Sequence, residues 1–270
     1  MGEASGRKSI FITGAASGIG AETARHFARK GWFVGLYDID EHGLKDVANE
    51  IGEANYHQAR LDVTNRDDWA SATAAFAEAT EGRMNVLFNN AGIGRHGWIE
   101  DIPPEESDLI IDINLKGVVN GVYAALPYLK QTPSARIVNT ASTAGIAAAP
   151  RLAVYAATKF GVRGLTEALD AEFQELDIRV TSLMPWFIET PILDMGKTEG
   201  ANEKMSDEIR ESGMDVYPVS LAAQRAWDAA HGKDTHYMAG KMAEQTKFTA
   251  RWMPKTLLKR IKKDTPPREA

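Results

Sequence analysis

The chain contains no cysteine in 270 residues, which excludes disulfides, thiolate nucleophiles and cysteine-held zinc and is compatible with a reducing compartment. It has no excess of basic residues either. Lys and Arg number 31 against 37 Asp and Glu, a net charge of −6, whereas a nucleic-acid protein needs a basic face to neutralise phosphates. No apolar run approaches the roughly 20 residues needed to span a bilayer. Residues 1–9 are polar and carry no apolar h-region, so no secretory signal is legible, and Gly6 stands where a myristoylation site wants Ser or Thr. A metal site is not expected. The expectation is a soluble, cytoplasmic enzyme with no nucleic-acid partner, able to bury roughly three quarters of its unfolded surface without staples.

What is present is a regular alternation. Short β-branched or aromatic runs at residues 9–13, 32–37, 56–61, 85–89, 136–140, 179–184 and 235–238 predict seven strands. Between them, helical spacing predicts helices over 21–30, 41–51, 67–80, 105–130, 154–175 and 220–231, the fourth entered through Pro103-Pro104. Continuous apolar strands separated by helices imply a parallel sheet covered on both faces. The fold class expected is α/β, a single Rossmann-type, doubly wound, seven-stranded sheet with its core over about residues 8–240. Residues 187–219 interrupt the alternation with a long, polar, irregular stretch that suggests a substrate lid. Residues 241–263 are basic and amphipathic, and 264–270 look disordered.

The first strand runs into Thr13-Gly-Ala-Ala-Ser-Gly-Ile-Gly20. Glycine at 14, 18 and 20 permits backbone angles that a Cβ disfavours and lets phosphate oxygens approach the main chain. The helix that follows offers free N–H groups and a partial positive charge, so Gly14, Ser17, Gly18, Ile19 and Gly20 are candidate dinucleotide contacts. Asp38 ends the second strand, where a carboxylate accepts from ribose hydroxyls and repels a 2′-phosphate. Neither its neighbour Ile39 nor Ser17 supplies the cation that such a phosphate wants. NAD is therefore expected over NADP.

Tyr155 and Lys159 stand four apart near the start of a helix and share one face, so the ammonium can reach the phenol. A nearby cation favours the phenolate of a tyrosine that would otherwise titrate near 10. The pair alone is an ordinary helix-surface spacing. Its company is more specific: Ser142 lies thirteen residues earlier at the end of a strand, Asn89-Asn90-Ala91-Gly92 closes the preceding strand, and Asn114 lies in the middle of the long helix.

With the glycine loop, these residues closely resemble the short-chain dehydrogenase/reductases across about residues 8–240. The resemblance implies a catalytic tetrad of Asn114, Ser142, Tyr155 and Lys159. It implies that Asp62 and Val63 receive the adenine ring, that Asn90, Ala91 and Gly92 lie along the cofactor, and that Lys159 bonds the nicotinamide ribose. The asparagine of the long helix is implied to hold a water that relays protons to the lysine. After the sixth strand, Pro185, Ile188 and Thr190 fit the family's nicotinamide contacts, but Trp186 stands where a glycine is usual. Such a side chain turns into the substrate pocket, alters the nicotinamide seat, or points harmlessly outward. The implied reaction is hydride transfer between NAD and a secondary alcohol or ketone, with Tyr155 as acid/base. The implied assembly is a homodimer or homotetramer paired through the long helices.

Around the expected pocket lie Ile93, His96, Trp98, Ala144, Trp186, Phe187 and Met195, an apolar and aromatic set that favours a hydrophobic alcohol or ketone over a sugar. His96 beside Gly97 is read as solvated and given no role. In 241–263, eight Lys and Arg stand against Glu244 alone, and Phe248, Trp252, Leu257, Leu258 and Ile261 form an apolar face. Packing over the lid or a sister subunit is the expected use of this segment, and an anionic membrane is the alternative. An NADP-dependent reductase, a membrane-associated lipid or steroid dehydrogenase and a catalytically idle dinucleotide sensor are the rival functional readings.

Overall fold

The computed structural model describes residues 6–193, 209, 211 and 213–265. Its strands are β1 (Ser9–Thr13), β2 (Phe33–Asp38), β3 (Tyr56–Arg60), β4 (Val86–Asn89), β5 (Ala135–Thr140), β6 (Ile178–Pro185) and β7 (His236–Ala239). They form one seven-stranded sheet in the order β3-β2-β1-β4-β5-β6-β7, and every neighbouring pair is parallel. The helices are α1 (Gly18–Arg29), α2 (Glu41–Ile51), α3 (Arg66–Ala79), α4 (Pro104–Ile111), α5 (Gly117–Leu129), α6 (Ala153–Glu172), α7 (Val219–His231), α8 (Lys241–Trp252) and α9 (Pro254–Lys263). The expected doubly wound sheet is what forms.

Alternate residues of each strand feed opposite layers, as the two-residue period of a strand requires. Ile10 and Ile12 join α1, α2 and α7 in one core, while Phe11 joins α3, α5 and the end of α6 in the other. Phe11 stacks on Tyr37 with ring centroids 3.8 Å apart and meets Phe76 edge-on at 5.4 Å. Burying each such ring stabilises by about 1.5–3 kcal/mol. A buried polar chain crosses the second layer. Asn89 Nδ2 donates to Asn139 Oδ1 at 2.9 Å, Asn139 Nδ2 donates to Thr166 Oγ1 at 3.0 Å, and the Thr166 hydroxyl donates to the Val162 carbonyl at 2.8 Å. This chain ties β4 and β5 to α6, the helix that carries Tyr155 and Lys159.

Several boundaries differ from the sequence reading. Helix α1 starts at Gly18 and not at 21, because the helix begins inside the glycine loop itself, with Ser17 extended at φ −152°. The predicted single helix over 105–130 starts at Pro104 but is interrupted at Asp112–Lys116 by a π turn. One extra residue in that turn rotates Asn114 fully inward, and hydrophobic periodicity does not register such a single insertion. Helix α6 ends at Glu172, followed by a 3-10 turn and a left-handed Asp177 at φ 54°. The basic segment breaks at Met253, because Pro254 disfavours helical angles in the residue before it. Of the predicted lid, the two ends are described: Ile188 and Tyr217 form a parallel bridge, and Glu189 N–H donates to the Tyr217 carbonyl at 2.9 Å. Its middle, with Met195, and residues 266–270 of the predicted disordered tail lie outside the described residues.

The Pro104–Leu129 stretch also corrects the reading of hydropathy. Its mean hydropathy reaches 1.4 over an 18-residue window, long and apolar enough by composition to cross a membrane. Here it is a layer of the fold. Val122, Ala125 and Leu129 pack into the core against the sheet, and Asn114 and Asn120 are buried with hydrogen-bond partners.

Strand order reverses between β1 and β4. In such sheets ligands sit at the carboxyl ends of the strands at that point.

Candidate active site

The candidate catalytic and cofactor-contact residues lie at or beside the C-terminal edge of the sheet. The glycine loop leaves β1 with Gly14 at φ +69° and Gly18 at φ +53°, angles that other residues rarely adopt. A Cβ on Gly14 would come within 2.9 Å of the Ala91 main chain, and one on Gly18 within 3.1 Å of Thr190. The loop is therefore held against both the Asn90–Gly92 turn and the segment after β6. Its helix end is open. Ser17 makes no side-chain capping bond, and α1 has no acid in its first turn. By contrast, Asp40 caps α2 and Asn65 caps α3, each accepting from two backbone N–H groups, and both helices carry acids in their first turns. The unspent donors and partial positive charge of α1 suit a pyrophosphate. The cradle therefore fits a dinucleotide.

At the end of β2, Asp38 Oδ2 accepts from Ala16 N–H at 3.0 Å and Oδ1 from Asp40 N–H at 3.1 Å. The carboxylate thus braces the glycine loop as well as standing where a ribose would lie. Arg60, absent from the sequence argument, is brought level with Asp38 by the β2–β3 register, and its guanidinium is turned to Asp68 at 3.2 Å. Asp62 Oδ1 accepts from the Thr64 amide and hydroxyl at 2.9 and 2.8 Å. The Val63 carbonyl accepts from Trp69 Nε1 at 3.0 Å and Asn120 Nδ2 at 3.1 Å, so this turn is fixed from below.

Thr13 locks the next turn. Its Oγ1 accepts from the amides of Asn90 at 3.0 Å and Ala91 at 3.1 Å. Asn90 Nδ2 donates to the Thr13 carbonyl at 3.2 Å, and Asn90 Oδ1 accepts from the Thr140 hydroxyl at 3.2 Å. The Asn90 side chain is thus committed to joining β1 and β5, which leaves the main chain of 90–92 for any cofactor contact. Asn114 is similarly committed. Its Oδ1 accepts from Ile93 N–H at 2.9 Å and its Nδ2 donates to the Ile93 carbonyl at 2.8 Å. Its amide thus clamps the loop after β4. Gly92 keeps open the gap between Asn114 and Lys159, since a Cβ there would sit 3.1 Å from Asn114 Oδ1 and 3.5 Å from Lys159 Nζ.

Ser142, Tyr155 and Lys159 converge beyond β5. Ser142 sits at φ 59°, ψ 158°, a region that is essentially glycine's, and its Oγ accepts from Ala144 N–H at 3.2 Å. A Cβ on Gly145 would meet the Lys159 carbonyl at 2.6 Å, so α6 lies tight on the turn that follows Ser142. Lys159 is 3% exposed; its Nζ donates to the Thr140 carbonyl at 2.9 Å and lies 5.5 Å from the centroid of the Tyr155 ring. Burial brings Lys159 down from 10.5 to about 8. Burial also raises the Tyr155 phenol above its ordinary value, while the Ser142 hydroxyl beside it pulls the other way. The four-residue spacing predicts that the cation favours the phenolate. In the protein by itself desolvation wins.

After β6, Ile188 is buried in the sheet core, so its side chain belongs to packing, and Thr190 Oγ1 donates to the Ile188 carbonyl at 3.1 Å. The Pro185 carbonyl accepts from Thr143 Oγ1 at 3.1 Å. Trp186 does not point outward. It packs against the cluster of Val118, Met184, Met238 and Ala243, with the Phe187 ring at 5.2 Å. Its Nε1 is buried without a hydrogen-bond partner among the described residues. Sequence reasoning missed Thr13, Thr140 and Gly145. Thr140 meets Lys159 through its carbonyl and Gly145 acts by lacking a Cβ, which residue type does not advertise, whereas Thr13 stands in the loop motif itself.

Comparison with known proteins agrees with this geometry. The short chain dehydrogenase family profile matches residues 8–204. A 3-alpha-(or 20-beta)-hydroxysteroid dehydrogenase of Mycobacterium tuberculosis is 39% identical over 188 residues, 69% of this chain and 71% of that one. A 3-oxoacyl-acyl-carrier-protein reductase of Thermotoga maritima is 35% identical over 216 residues, 78% of this chain and 83% of that one. A short chain dehydrogenase/reductase from Burkholderia phymatum, solved in complex with NAD, superposes with a TM-score of 0.82 at 25% identity over 98% of both chains.

Two predictions follow from the buried groups. The folded pKa of Lys159 lies near 8 and the unfolded value near 10.5, so below pH 8 both states carry the proton and the linkage is flat. Between 8 and 10.5 the unfolded chain binds more protons, and stability rises with pH. Urea titrations across that window should show the native protein gaining up to about 3 kcal/mol relative to Lys159→Met. A pH-independent difference would contradict the buried charge. For Ser142, both Gly and Ala remove the hydroxyl, but only Gly relieves the backbone. Ser142→Gly should be more stable than Ser142→Ala by about 1 kcal/mol, with turnover lost to a similar degree in both. Equal melting temperatures would remove the strain.

Proposed function

The chain belongs to the short-chain dehydrogenase family, and from that premise we propose that this oxidoreductase interconverts a secondary alcohol and a ketone with NAD, using Tyr155 as its acid/base. The observation that carries the reading is the convergence of the Tyr155 phenol, the Ser142 hydroxyl and the buried Lys159 ammonium beside a glycine cradle with an uncapped helix end. An idle dinucleotide sensor has no physical need for the first three.

The cofactor would be held by the main chain of Gly14–Gly20, by Asp38, by the Asp62-Val63 turn, by the main chain of 90–92, by Lys159, and by Pro185–Thr190. When bound, oxidised nicotinamide supplies the hydride acceptor and a fixed positive charge at the catalytic edge. The protein's own groups manage the proton. Ser142 and Tyr155 hydrogen-bond the substrate oxygen; Tyr155 takes the hydroxyl proton on oxidation and returns it on reduction. Lys159, poised near 8 by burial, holds or releases a proton close to neutral pH and so can recharge the phenol. Because the Asn114 amide is occupied by Ile93, a relay water at this residue would rest on main-chain carbonyls that the π turn frees from regular pairing.

Asp38 supports NAD over NADP, since a carboxylate repels the 2′-phosphate and the nearby Arg60 is paired with Asp68. The aromatic pair Trp186 and Phe187 supports a hydrophobic alcohol or ketone. The named relatives, one a hydroxysteroid dehydrogenase and one an oxoacyl reductase, set two substrate classes to try first. Leu109 and Ile111 on α4, Tyr123 on α5 and Phe160 on α6 are exposed by 50, 39, 71 and 42%, an apolar set on the helices that would pair between subunits of a homodimer or homotetramer. Light scattering coupled to gel filtration should give such a species, and a monomer would refute it.

The chemistry is tested by Tyr155→Phe with both cofactors. Turnover should fall by about 10²–10⁴-fold while NAD binding stays within about threefold of the parent, because the proton donor is lost and the cradle is not. NAD should exceed NADP in kcat/KM by about tenfold or more, the ratio that 1.4 kcal/mol of repulsion produces. Survival of turnover within a few-fold would sink the role of Tyr155, and a preference for NADP would move the ribose specificity from Asp38 to Arg60.

A further inference from the structure

Helices α8 and α9 use only one side of one helix for packing. Ala243 is fully buried against β7 and the turn that follows Ser142, and Met242, Thr246 and Ala250 are half-buried beside it. The rest faces outward. Phe248, Trp252, Met253 and Leu258 are exposed by 60, 68, 47 and 58%, and α9 has no buried residue. Around them stand Lys241, Lys247, Arg251, Lys255, Lys259, Arg260, Lys262 and Lys263, eight cations against Glu244. Their net +7 in a chain of −6 leaves −13 for the remainder. Among the described residues only Arg260 of the eight has a carboxylate partner, Asp264 at 3.4 Å. Packing against β7 and the turn after Ser142 accounts for the buried side of α8 but not for α9.

We propose that α8 and α9 are a docking surface for an anionic lipid bilayer, with Phe248, Trp252 and Leu258 entering the headgroup layer and the lysines and arginines meeting lipid phosphates and carboxylates. An exposed Trp and Phe on a helix flanked by Lys and Arg is the composition that settles at a membrane–water boundary. A second copy of the chain is a poorer occupant. A two-fold contact sets the same patch against itself, here +7 against +7, and lysine is depleted from protein interfaces. The surface also borders the site: Met242 N–H donates to the Tyr217 hydroxyl at 3.4 Å, and Trp186 N–H donates to the Ala239 carbonyl at 3.0 Å just before α8. A docked molecule would hold the Ser142–Trp186 side of the sheet near the lipid, so that an apolar substrate could enter from the bilayer. That last step rests on the alcohol/ketone reading above; the docking itself does not.

The test uses the full chain, sedimented with vesicles of phosphatidylcholine alone or with roughly 30% phosphatidylserine, the anionic content that gives cytoplasmic leaflets their surface potential. Two variants accompany it, Phe248→Ser with Trp252→Ser, and Lys255→Glu with Lys259→Glu and Lys262→Glu. Binding should require the anionic lipid, weaken at high salt, and fall by about tenfold or more in each variant. Melting temperature and turnover of a small water-soluble alcohol serve as fold controls and should not move. Absence of binding, equal binding to neutral vesicles, or variants that bind like the parent would overturn the proposal. So would loss of a lipid-free oligomer in the same variants, because the patch would then be a subunit contact. Failure of turnover in parent and variants alike, with vesicle binding intact, would count against the chemistry and leave the docking standing.

Discussion

The site is organised around one ammonium kept out of water. Lys159 gives a hydrogen bond to the carbonyl of Thr140, the last residue of β5, and that single contact joins the catalytic helix to the strand edge. Thr140 in turn reaches Asn90 with its hydroxyl, and Asn90 reaches Thr13 and the start of the glycine loop. A continuous polar path therefore runs from the lysine to the dinucleotide cradle along the tops of β5, β4 and β1. Burying the charge costs stability, which is why its pKa falls. The same cost makes the group useful, because an amine near 8 exchanges protons at physiological pH whereas one at 10.5 does not.

Departures from local stability gather at the same edge. Ser142 occupies backbone angles that suit glycine, α1 begins without a side-chain cap, and Trp186 keeps a buried indole N–H without a partner among the described residues. Other groups at that edge are paired: Asp40 caps α2, Asn65 caps α3, and the Asn89 and Asn139 amides donate along the Asn89–Asn139–Thr166 chain.

The elements that were legible in the sequence are those whose signal is carried by residue type along a period. The strands from β1 to β7 were placed within one residue or two, since apolar runs of that length fit a sheet covered on both faces. The candidate tetrad is legible because its residue types are ones whose side chains can hold or move a proton. What stayed hidden has a different origin. The π turn at Asp112–Lys116 is a one-residue insertion in an otherwise helical pattern, and it decides where Asn114 points. The Tyr155–Lys159 spacing was visible, yet the balance between a neighbouring charge and desolvation depends on burial, which four-residue spacing does not report. The side-chain amides of Asn90 and Asn114 each hold a loop, a use that residue type alone does not report.

The catalytic edge divides into two halves with different electrostatic demands. On the β3-β2-β1-β4 side lie the glycine loop, Asp38 and the Asp62 turn, a polar surface built for a charged nucleotide. On the β5-β6-β7 side lie Ser142, Tyr155, Trp186 and Phe187, where few groups would satisfy a polar ligand. Desolvation on that second half is what raises the phenol and lowers the amine, so a substrate that brought its own hydration shell would weaken the perturbations on which proton exchange relies. Helix α8 grows from β7 on the same half, and its cations lie on the far side of that helix, in water, where they do not oppose the charge on Lys159. Acid and glycine thus cluster on the β3-β2-β1-β4 side of the edge, and the basic run of 241–263 follows β7 on the other.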